Sequence, residues 1–253
     1  GTSLRFSDAT FAGVMSNGSA SFASLNGTAG NLVAVIGYAS AAVTAGTVYG
    51  SEASGIRAAT AAEFSNRDAF VLTNGSGTNR YPLRAGTDGA TNSAPLTLAE
   101  ARAVLEEAFT VMSRARAQIR RPLDSRAQVT ISIVDTHGSV LGIVRSPDAP
   151  IFGTDVSLQK ARTAAFFSGA QTGSELGANS SADVRQFVPA TRSFLNNPSA
   201  LTGTIAFSDR ANGNLSRPYF PDGEVGRPNG PLSRPIAQFN PFSTGLQSAL
   251  IIG

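Results

Sequence analysis

The chain has 253 residues and 26.0 kDa, and its 42% hydrophobic content at a mean hydropathy of +0.00 is enough to bury a core and excludes gross disorder. A net charge of +3 with scattered Arg and no aromatic interleaving argues against nucleic acid, and no apolar run approaches the roughly 18 to 20 residues of a spanning helix. The absence of Cys excludes disulfides, thiolate metal sites and Cys nucleophiles, and Gly and Pro counts of 26 and 13 point to a loop-rich chain. Nineteen of the 20 basic residues are Arg, Lys160 being the only Lys, a bias that suits a GC-rich bacterial coding sequence. The start at Gly1, with neither initiator Met nor a signal segment, reads as a piece of something longer.

Residues 1–60 are rich in Gly, Ala, Ser, Thr and Asn, with apolar runs at 32–36 and 47–49 that read as short strands among loops. Residues 68–73 (DAFVLT) and 79–83 flank Asn74-Gly75-Ser76-Gly77 and predict a hairpin. The stretch 85–95 (AGTDGATNSAP) reads as a linker and the best domain boundary.

Thr97 and Glu100 form a T-x-x-E capping box, so a helix starts there. Leu98, Ala101, Leu105, Ala108, Met112, Ala115 and Ile119 continue it as one apolar stripe. Arg114, Arg116, Arg120 and Arg121 suit its negative end, and Pro122 stops it. Residues 129–135 (VTISIVD) and 139–145 (SVLGIVR) flank Thr136-His137-Gly138 as a second hairpin. Thr154 is placed to cap a helix reaching about Phe167, with Asp155 in its first turn. A further helix is expected over 181–195 and a strand over 201–207, while the Pro- and Gly-rich run 215–242 cannot be regular.

Phosphate loops, dinucleotide fingerprints and nucleophile elbows are absent from the sequence, and a single His cannot build a His-rich metal site. That residue, His137, reads first as a tight-turn residue and second as an axial iron ligand or general base. Met112 reads as core on the apolar stripe before it reads as a thioether ligand. Asp135 and Asp155 read as turn stabiliser and helix-dipole partner before any ligand role.

VTISIVDTHGSVLGIVR, then PDAP, then DVSLQKARTAAF resembles the GlcG/HbpS haem-binding family, over about residues 96–168. The resemblance implies an α+β, profilin- or PAS-like antiparallel sheet flanked by helices, preceded by a loop- and strand-rich N-terminal segment. It divides the chain into an inter-module segment, 1–90, and a module over 96–253 with an insert at 215–242. It implies a haem or other tetrapyrrole-binding module of a larger exported bacterial protein, periplasmic or extracellular, with a structural or accessory subunit that has lost its ligand as the alternative. An enzyme is the least favoured class.

By the same resemblance Lys160 and Arg145 pair with haem propionates and Thr163 faces the tetrapyrrole or its iron, while Asp155 as a ligand-facing carboxylate and His137 as the candidate metal ligand rest on their own side-chain chemistry. The family's closing Gly-rich strands are missing before Gly253, and residues 246–252 (LQSALII) end in an apolar run. The expectation is that the sheet is completed by another polypeptide, the rest of the precursor or a partner subunit.

Overall fold

A computed structural model of the chain describes residues 45–235. The expectations for 32–36 and 246–252 lie outside the described residues. The elements in order are β1 (Ile56–Ala58), β2 (Phe70–Leu72), α1 (Leu98–Arg114), β3 (Thr130–Val134), β4 (Val140–Arg145), α2 (Gly153–Phe167), α3 (Thr172–Gly177), α4 (Ala182–Phe194) and α5 (Asp209–Leu215). The strands form one antiparallel sheet in the order β1-β2-β4-β3, flanked by helices.

The β3–β4 hairpin is the centre of this arrangement. Ile131 pairs with Val144 and Ile133 with Gly142, while Ser132 pairs with Ile143 and Thr130 with Arg145, so residues of alternate parity face opposite sides. The first set meets α1. Gly142 lies so close to Leu105 and Leu83 that an added Cβ would stand 2.9 Å from a methyl of each. The second set meets α2, where the Ser132 and Ser157 hydroxyls are 2.7 Å apart and Arg145 reaches Thr154 at 2.9 Å. With helices on both sides, β4 is buried from Leu141 to Arg145.

The Thr97 cap forms as its sequence requires: its hydroxyl accepts from Glu100 N at 3.2 Å, and the Glu100 carboxylate accepts from Thr97 N at 2.8 Å. The helix ends at Arg114 rather than running to Pro122, because Ala115 is extended and Ala117 N and Ala127 N turn to Ser125 O and Ala115 O. The stripe therefore stops early, leaving Ile119 96% exposed. Arg116, Arg120 and Arg121 lie beyond the helix, and Arg120 pairs with Asp148. Ala101, Leu105, Phe109 and Met112 are the buried face, packed with Phe64, Val71 and Val144, and with Ile131 and Ile133 half-buried at its margin. Leu105→Ala should cost about 2 to 5 kcal/mol in a urea denaturation series, since a Leu that is 1% exposed leaves a cavity its neighbours fill only in part.

Several expectations need correction. The run 79–83 does not form a strand: Thr73 bridges Asn79, but β2 pairs instead with β1 and, at Phe70–Arg145, with β4. Residues 47–90 therefore contribute β1 and β2 to the sheet that also holds β3 and β4. The stretch 85–95 is not a bare linker; Arg84 N donates to Leu141 O, and the residues that follow lock onto the hairpin turn.

Residues 201–207 form turns, because Leu201 adopts φ 64° and Gly203 φ 81°, which no strand accommodates. Leu201 instead plugs a second core with Phe167, Leu176, Phe187, Phe207, Leu215 and Leu232. Thr154 does not cap α2, since its hydroxyl serves Arg145. The helix over 181–195 forms as expected, α3 and α5 were not foreseen, and 216–235 is irregular. No helix among the described residues is long and apolar enough to cross a membrane.

Candidate functional site

The β3–β4 turn is built on Asp135. Gly138, at φ 75°, lets the chain reverse, and one Asp135 oxygen accepts from His137 N at 3.0 Å and Ser139 N at 2.9 Å. Its other oxygen accepts from Thr87 N at 2.9 Å and Thr87 Oγ1 at 2.7 Å. Asp88 reciprocates: its carboxylate accepts from Thr136 Oγ1 at 2.6 Å, Thr136 N at 3.2 Å and Asn92 Nδ2 at 3.1 Å. Two carboxylates thus staple the loop 87–92 to the turn.

Burial pushes the Asp135 carboxyl up, but the donors from Thr87, Ser139 and His137 outweigh it and hold it below the ordinary range. Thr136 and Asn92 hold Asp88 down at about 2. Carboxyls held low by folding stabilise the native state above their ordinary range, and that contribution is lost as pH falls towards the folded value. Melting temperature should fall as pH drops from 3.8 towards about 2, and Asp88→Asn should flatten this slope. An unchanged slope in the variant would remove Asp88 from the staple.

The staple positions His137. Its Nε2 lies 2.6 Å from Thr91 Oγ1, so a loop residue fixes the ring of an exposed turn residue. Beside it opens a cleft of about 550 Å³, walled by Thr91, His137, Ala165, Phe166, Ala170 and Glu175, among others. Arg162 braces the turn, with Nε donating to Gly138 O at 2.9 Å and its stem lying over Gly138. The cleft thus combines a nitrogen donor, an apolar surface on Phe166 and the two Ala, and a polar margin on Gln171 and Glu175. A volume of this size falls in the range that takes small molecules and cofactors.

Of the residues singled out in the sequence, His137 lines this cleft. Lys160 is exposed and pairs with Asp209 of α5 at 3.6 Å. Thr163 is fully buried on α2, and Asp155 is exposed in the first turn of the same helix. Arg145, which the resemblance assigned to a propionate, is 0% exposed and turned inward: it donates to Ala149 O at 2.6 Å, to Thr154 Oγ1 at 2.9 Å and to Pro150 O at 3.5 Å, holding the loop after β4. Sequence reasoning missed Thr91, Phe166 and Glu175. Thr91 sat in a stretch whose composition reads as linker, and Phe166 reads as one more apolar residue of a helix.

Residues 104–208 match a family model described as haem degrading protein HbpS-like. The likeness covers the central segment of the chain and leaves the residues on either side of it unmatched. The matched span holds most of α1, the β3–β4 hairpin, α2, α3 and α4, and so all of the cleft except the loop that carries Thr91. No curated protein and no solved structure matches the chain. The sheet with flanking helices agrees with the profilin-like fold that the resemblance implied.

Proposed function

We propose that this protein binds haem or a related tetrapyrrole in the cleft beside the β3–β4 turn. One observation carries the reading: the only imidazole of the chain stands on the wall of a cleft with an apolar face, inside the span that matches a haem-related family. His137 offers Nε2 as an iron donor on release from Thr91, or Nδ1 with that bond kept. Phe166, Ala165 and Ala170 offer apolar cover to a flat macrocycle and keep water from one of its faces. Bound haem would supply a redox-active iron and a visible chromophore. The resemblance supports placing this module in a larger exported bacterial protein, periplasmic or extracellular. The reading stops at binding and assigns no reaction.

Titration of the whole chain with hemin tests it. We expect a saturable shift of the Soret band at one equivalent, and a spectrum that stays that of hemin in buffer would contradict the proposal.

A second reading, a structural subunit whose sheet another polypeptide completes, draws on β3. Among the described residues it lies outermost and pairs with β4 alone. Val104 and Val111 on α1 are also 51% and 59% exposed. Light scattering should then show an assembly or a stoichiometric complex, whereas a stable monomer that takes up hemin would set this reading aside.

A further inference from the structure

A second cleft, of about 670 Å³, lies between the end of α4, the segment 205–207, α5 and the irregular run 217–222. It shares no lining residue with the cleft at His137. Its floor is apolar and firm. Phe207 and Leu215 belong to the second core, Ile205 and Phe220 pack against that core, and Phe220 is held edge-on by Phe194 at 5.2 Å and 89°. Three charged residues line it, Arg210, Arg217 and Asp222, one more cation than anion.

The two guanidiniums differ in how far they are committed. Arg217 already donates to Pro221 O. Arg210 is exposed, and among the described residues no ion pair holds it, because its neighbour Asp209 is engaged by Lys160. An apolar floor beside a planar cation that no ion pair among the described residues engages is complementary to a molecule with an apolar body and one negative end. With Asp222 beside them, the two Arg leave a net single positive charge, which matches a monoanion better than a phosphate dianion.

We propose that this cleft binds a small amphipathic carboxylate, a medium-chain or aromatic acid, with the tail on Ile205, Phe207 and Phe220 and the carboxylate on Arg210. The observation asks for a tail short enough for the cleft, which excludes long lipids as its full occupant.

Isothermal titration calorimetry with decanoate on the whole chain tests this, with decan-1-ol and decyltrimethylammonium as the uncharged and cationic controls. We expect decanoate to bind and both controls to bind at least about tenfold more weakly, from the loss of a charge-assisted contact. Arg210→Gln should weaken decanoate by a similar factor with an unchanged circular dichroism spectrum, because Arg210 is an exposed residue of α5. His137→Ala should leave decanoate binding as it was, which keeps this result separate from the haem proposal. Absence of decanoate binding, equal binding of the alcohol, or unchanged binding in Arg210→Gln would each overturn the proposal. Loss of decanoate binding in His137→Ala would do the same by moving the ligand to the other cleft.

Discussion

Arg145→Ala should lower stability by about 2 to 4 kcal/mol in chemical denaturation, a cost of the same order as truncating a buried Leu. The guanidinium is 0% exposed, and among the described residues no carboxylate neutralises it; two backbone carbonyls and the Thr154 hydroxyl receive it. Truncation therefore leaves buried acceptors without donors and a cavity at the end of the central strand, where β4, β2 and β3 meet. Arg145→Lys should recover little, because an ammonium on a flexible stem cannot reproduce a planar fork that spans Ala149, Pro150 and Thr154. A loss under about 1 kcal/mol would mean that the loop after β4 is held by other contacts.

The second large effect concerns haem. His137→Ala should weaken hemin binding at least tenfold, since even outer-shell partners of a metal ligand are worth about 10 to 100-fold. The fold should persist, because the imidazole is exposed and its ring meets the protein through Thr91. Thr91→Val separates the two donor routes: hemin binding falls if Nδ1 holds the iron while Nε2 keeps the Thr91 bond, and does not fall if Nε2 is the donor. Lys160→Ala separates this arrangement from the one the resemblance implied: with Lys160 paired to Asp209 and outside the cleft, hemin affinity should not change. A Lys160→Ala variant that loses hemin while His137→Ala keeps it would return the ligand to the α2 surface.

The elements that could be read from the sequence are those specified by neighbours in the chain. The Thr97 and Glu100 box and the alternation on either side of Thr136-His137-Gly138 each decide their own segment, and each forms. What could not be read depends on distant pairing. Phe70 meets Arg145 across 75 residues, so nothing near β2 announces that it extends the sheet of the hairpin rather than closing a hairpin with 79–83. Leu201 was misread for a related reason, as an apolar residue in a strand-like run that takes a left-handed conformation to fill a helical core.

The candidate site divides in the same way. His137 could be singled out because it is the only His, but its setting comes from three separate stretches: Thr91 in the supposed linker, Phe166 at the end of α2, and Glu175 in a helix too short to signal itself. The staple of Asp135 and Asp88 was half visible. Asp135 was expected to stabilise the turn and does, but its partner Thr87 and the reciprocal Asp88 lie 48 residues upstream of their contacts.

The central claim is that His137 is the iron ligand of a haem held at the β3–β4 turn. The single His makes one measurement decisive: electron–nuclear double resonance on the ferric complex of unlabelled hemin with protein grown on ¹⁵N-histidine. Every ¹⁵N nucleus in that sample belongs to His137. A strong ¹⁵N coupling at the iron is the predicted result. A complex that forms fully yet shows no ¹⁵N coupling would contradict the account and assign the iron to another donor.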